Sequence, residues 1–201
     1  MGNFMKTISK MAAALIATVV IAGCSHSNST RSSAKTAPAP MTVQDVNAAQ
    51  QAWCDALLSI AKTHAAGGDY KTVAVGVLEN NYNYDYGMVL FNPTLTFGEQ
   101  TFRLDKEGAA AYFIGGNPKY PNDDGFALKP WVACRYTNAG DNAGVLIEDD
   151  IAITMGNVYL TDAKGQVTVV DKLWVFKRDP DGRLRIITHK SAIPNPIPVK
   201  K

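Results

Sequence analysis

The chain has 201 residues, of which 46% are hydrophobic and 19% are charged, as is typical of soluble globular proteins. This length allows one domain with an appendage, or two small domains at most. The formal net charge is +2, and it comes from Lys6 and Lys10, the only charged residues before Cys24. Because the remainder is neutral overall and has no basic run beyond its terminal lysine pair, the sequence excludes electrostatic binding of nucleic acid.

The first 23 residues are interpreted as a lipoprotein signal peptide. Lys6 and Lys10 form a positive start, and the apolar stretch 11–23 is too short to span a bilayer comfortably. It ends in Ile-Ala-Gly followed by Cys24, which resembles the lipobox of bacterial lipoproteins. The alternative is a plain secretory signal with a chance cysteine. Residue 25 is Ser rather than Asp, which by resemblance to enterobacterial sorting favours the outer membrane, facing the periplasm.

Residues 24–41 are predicted to be the lipidated Cys24 and a flexible tether, because Ser, Thr, Ala and Pro dominate and almost nothing can be buried. Residues 42–201 form the predicted domain. Such a protein is held at the bacterial cell envelope by its lipid and does not span the membrane.

The first half of the domain is predicted to be mainly helical. Thr42 and Asp45 form a capping-box pattern that opens a helix ending at Gly67-Gly68, and Asp69 caps a second helix to about residue 80. Short strands are expected over 88–91 and 100–104, with a helix over 106–114 between Asp105 and a Gly-Gly stop.

The loop 117–125 contains the acidic pair Asp123-Asp124. Two neighbouring carboxylates can serve as metal ligands, but a solvated loop is the favoured interpretation.

The second half of the domain is predicted to consist of strands separated by turns. The expected strands cover 131–136, 144–148, 151–160, 166–178 and 183–194. Short connections between successive strands indicate an antiparallel meander. The fold class is therefore α+β, a cone of N-terminal helices packed on a strongly curved antiparallel sheet around an apolar pocket.

The last strand carries the clearest candidate site residues. Alternate side chains of a strand share a face. One face is expected to hold Arg185, Ile187, His189 and Ser191, and the other Leu184, Ile186, Thr188 and Lys190. An imidazole and a hydroxyl two residues apart can reach a common small ligand. The alternative is that His189 is a histidine with satisfied hydrogen bonds near a strand end and has no functional role.

The remaining cysteines, histidines and sequence motifs limit the kinds of site that the domain can contain. Cys54 and Cys134 could form a disulfide outside the cytoplasm, but two separate buried thiols are favoured because both lie among apolar residues. Only His64 and His189 fall within the domain, so a three-His zinc centre is excluded by count. Serine-nucleophile and phosphate-loop motifs are also absent from the sequence.

Several ordered motifs resemble the iota-class carbonic anhydrases over about residues 48–194. They include Ala52-Trp-Cys-Asp-Ala-Leu-Leu, Val89-Leu-Phe-Asn-Pro-Thr94, Gly125-Phe-Ala-Leu-Lys-Pro-Trp131 and Ala152-Ile-Thr-Met-Gly-Asn157. The resemblance implies the SnoaL-like, nuclear-transport-factor-like α+β cone. It also implies a lyase that reversibly hydrates carbon dioxide to bicarbonate.

The family signature at the C-terminal strand is His-His-Ser-Ser, a hydrophobic residue and Pro. Here it stands as His189-Lys190-Ser191-Ala192-Ile193-Pro194, so the first His and first Ser match. By strand alternation, the two departures lie on the face opposite the matched pair.

The resemblance further implies that Thr94 and Tyr112 are pocket hydroxyls, although a turn-capping Thr and a core Tyr are the alternatives. These hydroxyls and Ser191 would orient water and substrate, and His189, with an ordinary pKa near 6.5, would accept the proton. No cofactor is expected, with zinc and manganese left open. A homodimer is expected. The rival hypothesis is a small-ligand-binding module without turnover.

Overall fold

Local capping signals place the first two helices. The computed structural model describes residues 39–195. Helix α1, Val43–Ala65, begins where Thr42 and Asp45 exchange the two hydrogen bonds of a capping box. Helix α2, Tyr70–Asn81, begins after its N-cap Asp69. Both helix predictions are confirmed. No helix in this part of the chain is both long enough and apolar enough to cross a membrane.

The segment between the helices and the main sheet departs from prediction at one point. Strand β1 is Leu90–Asn92, helix α3 is Lys106–Ile114, and a short 3₁₀ turn covers Phe126–Leu128. The strand predicted over 100–104 is wrong. That stretch shares one main-chain hydrogen bond with β1, from the Arg103 N–H to the Phe91 carbonyl at 2.8 Å, and forms no ladder.

The remaining strands form one curved sheet. Their bounds are Trp131–Asn138 for β2, Val145–Glu148 for β3, Ile151–Asp162 for β4, Val167–Arg178 for β5 and Leu184–Ala192 for β6. The order is β1-β6-β5-β4-β2, and β3 pairs with the start of β4. All pairs are antiparallel except β1 with β6, which is parallel. The predicted α+β class with an antiparallel meander is confirmed, with β1 as a parallel edge.

The helices pack against one face of the sheet, where the core lies. Trp53 and Leu57 of α1 are buried there with Trp174 and Phe176 of β5. This arrangement agrees with the sequence, because α1 has one apolar face and β5 has apolar residues at alternate positions, and packing them together removes both from water.

Cys54 of α1 and Cys134 of β2 form a disulfide, with a Cα–Cα distance of 5.3 Å. The predicted pair of separate buried thiols is therefore wrong. The reason is the packing of α1 across β2, which brings together two residues separated by 80 positions in the chain.

Candidate active site

Strand β6 presents His189 and Ser191 to the core and turns Lys190 to solvent. His189 is 1% exposed and Ser191 is 4% exposed, whereas Lys190 and Ala192 are exposed. The prediction that His189 and Ser191 lie on one face of the strand, and Lys190 and Ala192 on the other, is confirmed. On the neighbouring strand, Trp174 stands opposite His189.

A bulge in β6 changes the face of residues further back along the strand. Thr188 pairs with Val175 and Ile186 with Phe176, so Ile187 is an extra residue. As a result Ile186, not Arg185, shares the core face with His189, so the predictions that Arg185 lies on the face of His189 and Ile186 on the opposite face are wrong. Arg185 instead forms a buried ion pair with Asp179 at 2.9 Å.

Lys172 completes a triangle of polar atoms with the two predicted residues. Its Nζ lies 2.8 Å from His189 Nε2 and 2.7 Å from Ser191 Oγ, and these two atoms are 3.0 Å apart. Lys172 reaches them because it lies on β5 directly opposite Ser191. An amine, an imidazole and a hydroxyl are thus within hydrogen-bond distance of one another.

The other imidazole nitrogen joins a second hydrogen-bond chain. Trp53 Nε1 donates to the Tyr82 hydroxyl at 2.9 Å, and this hydroxyl lies 2.8 Å from His189 Nδ1. Trp53 and Tyr82 are both buried. Because both ring nitrogens have partners, the imidazole is held in one orientation.

Aromatic rings enclose the imidazole. Phe91 of β1 stacks on His189 with ring centroids 4.5 Å apart, and Trp174 and Trp53 meet it edge-on at 5.4 and 5.8 Å. Such walls exclude water and lower the local dielectric, so every charge in the site is less well solvated than in water.

Burial changes the proton affinities of both basic groups. The pKa of His189 lies well below its ordinary value, because burial and then the neighbouring Lys172 disfavour the imidazolium. Burial lowers the pKa of Lys172 to about 7. The ordinary pKa near 6.5, which made His189 the expected proton acceptor, therefore does not apply in the fold, and the pKa of Lys172 is the one that lies near neutral.

The two other predicted residues lie apart from this triangle. Within residues 39–195, no hydrogen bond joins the side chain of Thr94 or Tyr112 to His189 or Ser191. Tyr112 is buried against Phe91, at 5.5 Å between ring centroids, and lines a cavity of about 180 Å³. Burial raises its pKa well above the ordinary value, so the phenol stays protonated. Thr94 is buried, just after β1.

The same cavity is bordered by the predicted acidic loop. Asp123 is paired with Arg103 at 2.9 Å, with both side chains at most 5% exposed, so the expectation of a solvated carboxylate is wrong at this position. Asp124 is exposed, as expected. In the described part of the chain, no group of three or more His, Cys, Asp or Glu side chains is arranged to hold a metal ion.

Residues 44–193 match the model of the metal-independent carbonic anhydrase family. The chain belongs to this family. A metal-independent carbonic anhydrase from Nostoc sp. (strain PCC 7120 / SAG 25.82 / UTEX 2576) is 44% identical over 156 residues, which cover 77% of this chain and 74% of that protein. The crystal structure of a cyanobacterial iota-carbonic anhydrase complexed with bicarbonate is 43% identical, with a TM-score of 0.75, and the match covers 79% of this chain and 95% of the other.

Two residues of this candidate site, Lys172 and Tyr82, were not predicted. The sequence held a signal for Lys172, since it alternates with Val170, Trp174 and Phe176 and so occupies a core-facing position in β5. No comparable signal existed for Tyr82. It lies in an irregular Tyr-rich stretch, and only the tertiary fold selects it from its neighbours.

Proposed function

We propose that this protein reversibly hydrates carbon dioxide to bicarbonate, without a metal ion, at the site formed by His189, Ser191 and Lys172. The observation that carries the proposal is the triangle itself. Three polar atoms capable of binding one small anion lie within 3.0 Å of each other in a buried, aromatic-walled site. Membership of the metal-independent family and the bicarbonate held by the cyanobacterial relative support the same reaction.

The site suits both sides of this reaction. Carbon dioxide is apolar, so an environment of aromatic rings such as Phe91, Trp53 and Trp174 costs it no hydrogen bonds. Bicarbonate is an anion and needs donors, which Ser191, the imidazole N–H and the lysine amine can supply. Donors fixed in a dry site stabilise developing charge without reorganisation of solvent.

Thr94 and Tyr112 contribute further hydroxyls in this proposal. Tyr112 borders the small cavity next to Phe91, and Thr94 precedes Leu95, another residue lining that cavity. A cavity of about 180 Å³ is below the usual range for drug-sized ligands and suits a molecule of a few atoms. No cofactor takes part in the proposed reaction.

A stopped-flow assay of carbon dioxide hydration tests the proposal. The purified protein should raise the rate well above that of buffer, in proportion to its concentration. The competing hypothesis is a binding module without turnover. It is motivated by the two departures from the family signature His-His-Ser-Ser, at Lys190 and Ala192. Bicarbonate binding in a calorimeter with no rate above buffer would establish that alternative instead.

We also propose that the protein is a lipoprotein of the bacterial envelope. The motif ending at Cys24 supports this, and it lies outside the described residues. In a host with lipoprotein processing, Cys24→Ala should yield an unacylated protein that no longer sediments with membranes. Continued membrane association of this variant would contradict the anchor.

A homodimer is the proposed assembly. Strands β2–β5 expose large apolar side chains that a second copy could cover, namely Val132, Leu146, Met155 and Val167. Analytical ultracentrifugation should give twice the chain mass, and a single-chain mass at all concentrations would contradict this assembly.

A further inference from the structure

Lys172 is a buried lysine without a counter-charge. It lies on the core-facing side of β5 and is 5% exposed. Among residues 39–195, no carboxylate lies within ion-pair distance of its amine. A buried ammonium in this state is costly, and the cost falls if the amine loses its proton or if an anion binds beside it.

None of the elements around Lys172 supplies a negative group. Helix α1 presents the Trp53 ring, 4.9 Å from Nζ, and β4 places Gly156 opposite, without a side chain. Strand β6 presents His189 and Ser191. The adjacent charged residues lie on the opposite face of the sheet: Asp171 bonds to Asn157, and Lys190 is exposed. The site therefore favours a neutral amine when it is empty.

The hydrogen-bond chain assigns the proton on His189. The indole N–H of Trp53 can only donate, so the Tyr82 oxygen accepts it. Nδ1 is then the acceptor that the structure offers to the buried Tyr82 O–H, and we assign this bond as donation from Tyr82 to Nδ1. The neutral imidazole then carries its proton on Nε2, facing Lys172 and Ser191. An N–H at this position is a donor and cannot take a proton, whereas the lone pair of a neutral amine can.

From this arrangement we propose that Lys172 is the catalytic base of the site and the group that holds the product anion. The proposal rests on carbon dioxide hydration being the reaction. An O–H bond of water breaks, its proton goes to the Lys172 amine, and the water oxygen forms a bond to the carbon of carbon dioxide while the electron pair of one C=O π bond moves onto its oxygen. The products are bicarbonate and an ammonium group next to it. Loss of the proton to solvent buffer restores the amine.

His189 and Ser191 position the reactants in this scheme. The Nε2–H faces both Lys172 Nζ at 2.8 Å and Ser191 Oγ at 3.0 Å, and when it donates to Ser191 the lysine lone pair is free for water. The Ser191 hydroxyl is then directed at a substrate oxygen. The Lys172 amine lies 2.7 Å from Ser191 Oγ, so it is within reach of any ligand that the Ser191 hydroxyl binds.

The decisive experiment follows the lysine amines of the full protein by NMR with side-chain isotope labelling, as pH is varied. One lysine signal should titrate near 7, should vanish in Lys172→Met, and should move to a higher pKa when bicarbonate is added. Lys190→Met makes the same chemical change on the opposite face and should leave this signal in place. In parallel, Lys172→Met should lower the hydration rate by roughly 10²–10⁴-fold, the usual contribution of a positioned base.

The results that would contradict the role of Lys172 can be distinguished from those that would contradict the proposed function. Hydration by the wild type with no lysine titrating near 7, or with a titration that bicarbonate does not move, would overturn the role of Lys172 and leave the proposed function intact. A wild type without hydration above buffer would overturn both. A carbamate carbon bonded to this lysine, seen with ¹³C-labelled carbon dioxide, would also overturn the base role, because the amine would then be the nucleophile. The wild-type titration decides even if Lys172→Met does not fold.

Discussion

Lys172 Nζ lies 2.7 Å from Ser191 Oγ, although the two residues are 19 positions apart and on different strands. The antiparallel register of β5 and β6 places them directly opposite each other on the core face. This contact makes the signature serine part of a buried polar site that contains a basic group, and not merely a hydroxyl near a strand end.

The two faces of β6 should respond differently to mutation. Ser191→Ala removes a donor that touches both Lys172 and His189, and loss of one such donor costs about 10²–10³-fold in rate in a water-excluded site. Lys190→Ala removes a solvent-facing side chain and should change the rate less than about twofold, since surface charges contribute little. Stopped-flow hydration of both variants measures the difference. Equal damage by the two substitutions would show that the face assignment is wrong.

The stability of the protein should rise with pH across the titration of Lys172. Its pKa is about 7 in the fold against 10.5 for a free lysine, so between these values the unfolded chain binds the extra proton. The free energy of unfolding therefore increases as pH rises through this window, and the full penalty of the buried ammonium applies below about 7. Lys172→Met should remove this slope and stabilise the protein at low pH by a few kcal/mol, on the order expected for such a shift.

Urea unfolding at a series of pH values tests this statement, with Lys190→Met as the control. The difference between wild type and Lys172→Met isolates this lysine from other titrating groups, such as the buried tyrosines at high pH. If the difference in free energy of unfolding between wild type and Lys172→Met does not depend on pH, Lys172 has the same pKa in the folded and unfolded chain.

Local signals in the sequence predicted the helices well, and non-local contacts explain most of what was missed. Thr42, Asp69 and Asp105 are N-caps as expected, because a cap bonds to residues only a few positions away. The bulge at Ile187 could not be predicted, since it depends on how β6 pairs with β5. Alternation across the bulge therefore failed for Arg185 but held for His189 and Ser191, which lie beyond it.

The site itself was predicted only in part, for the same reason. His189 and Ser191 lie on one strand, so their shared face follows from alternation alone. Tyr82 joins them through the packing of the segment after α2 against β6, which no local pattern specifies. Lys172 was visible as a core-facing lysine in β5, but its partners depend on strand register.

The cysteine pair gives a prediction about stability outside the site. Alkylation of the denatured, unreduced protein should find no free thiol on Cys54 or Cys134, because the two form a disulfide. Reduction should lower the free energy of unfolding by about 4 kcal/mol, the order expected for a closed loop of this length. A Cys54→Ala/Cys134→Ala variant should not respond to reductant. Two alkylated thiols before reduction would contradict the pairing.

The claim that hydration needs no metal ion is tested most directly on protein stripped of metal. The purified protein would be dialysed against a strong chelator, its metal content measured by mass spectrometry, and its hydration rate followed by stopped flow before and after addition of zinc or manganese. The proposed His189–Ser191–Lys172 mechanism predicts an unchanged rate at metal contents far below one ion per chain, and no gain on adding either metal. A rate that falls to that of buffer after chelation and returns with zinc or manganese would contradict it.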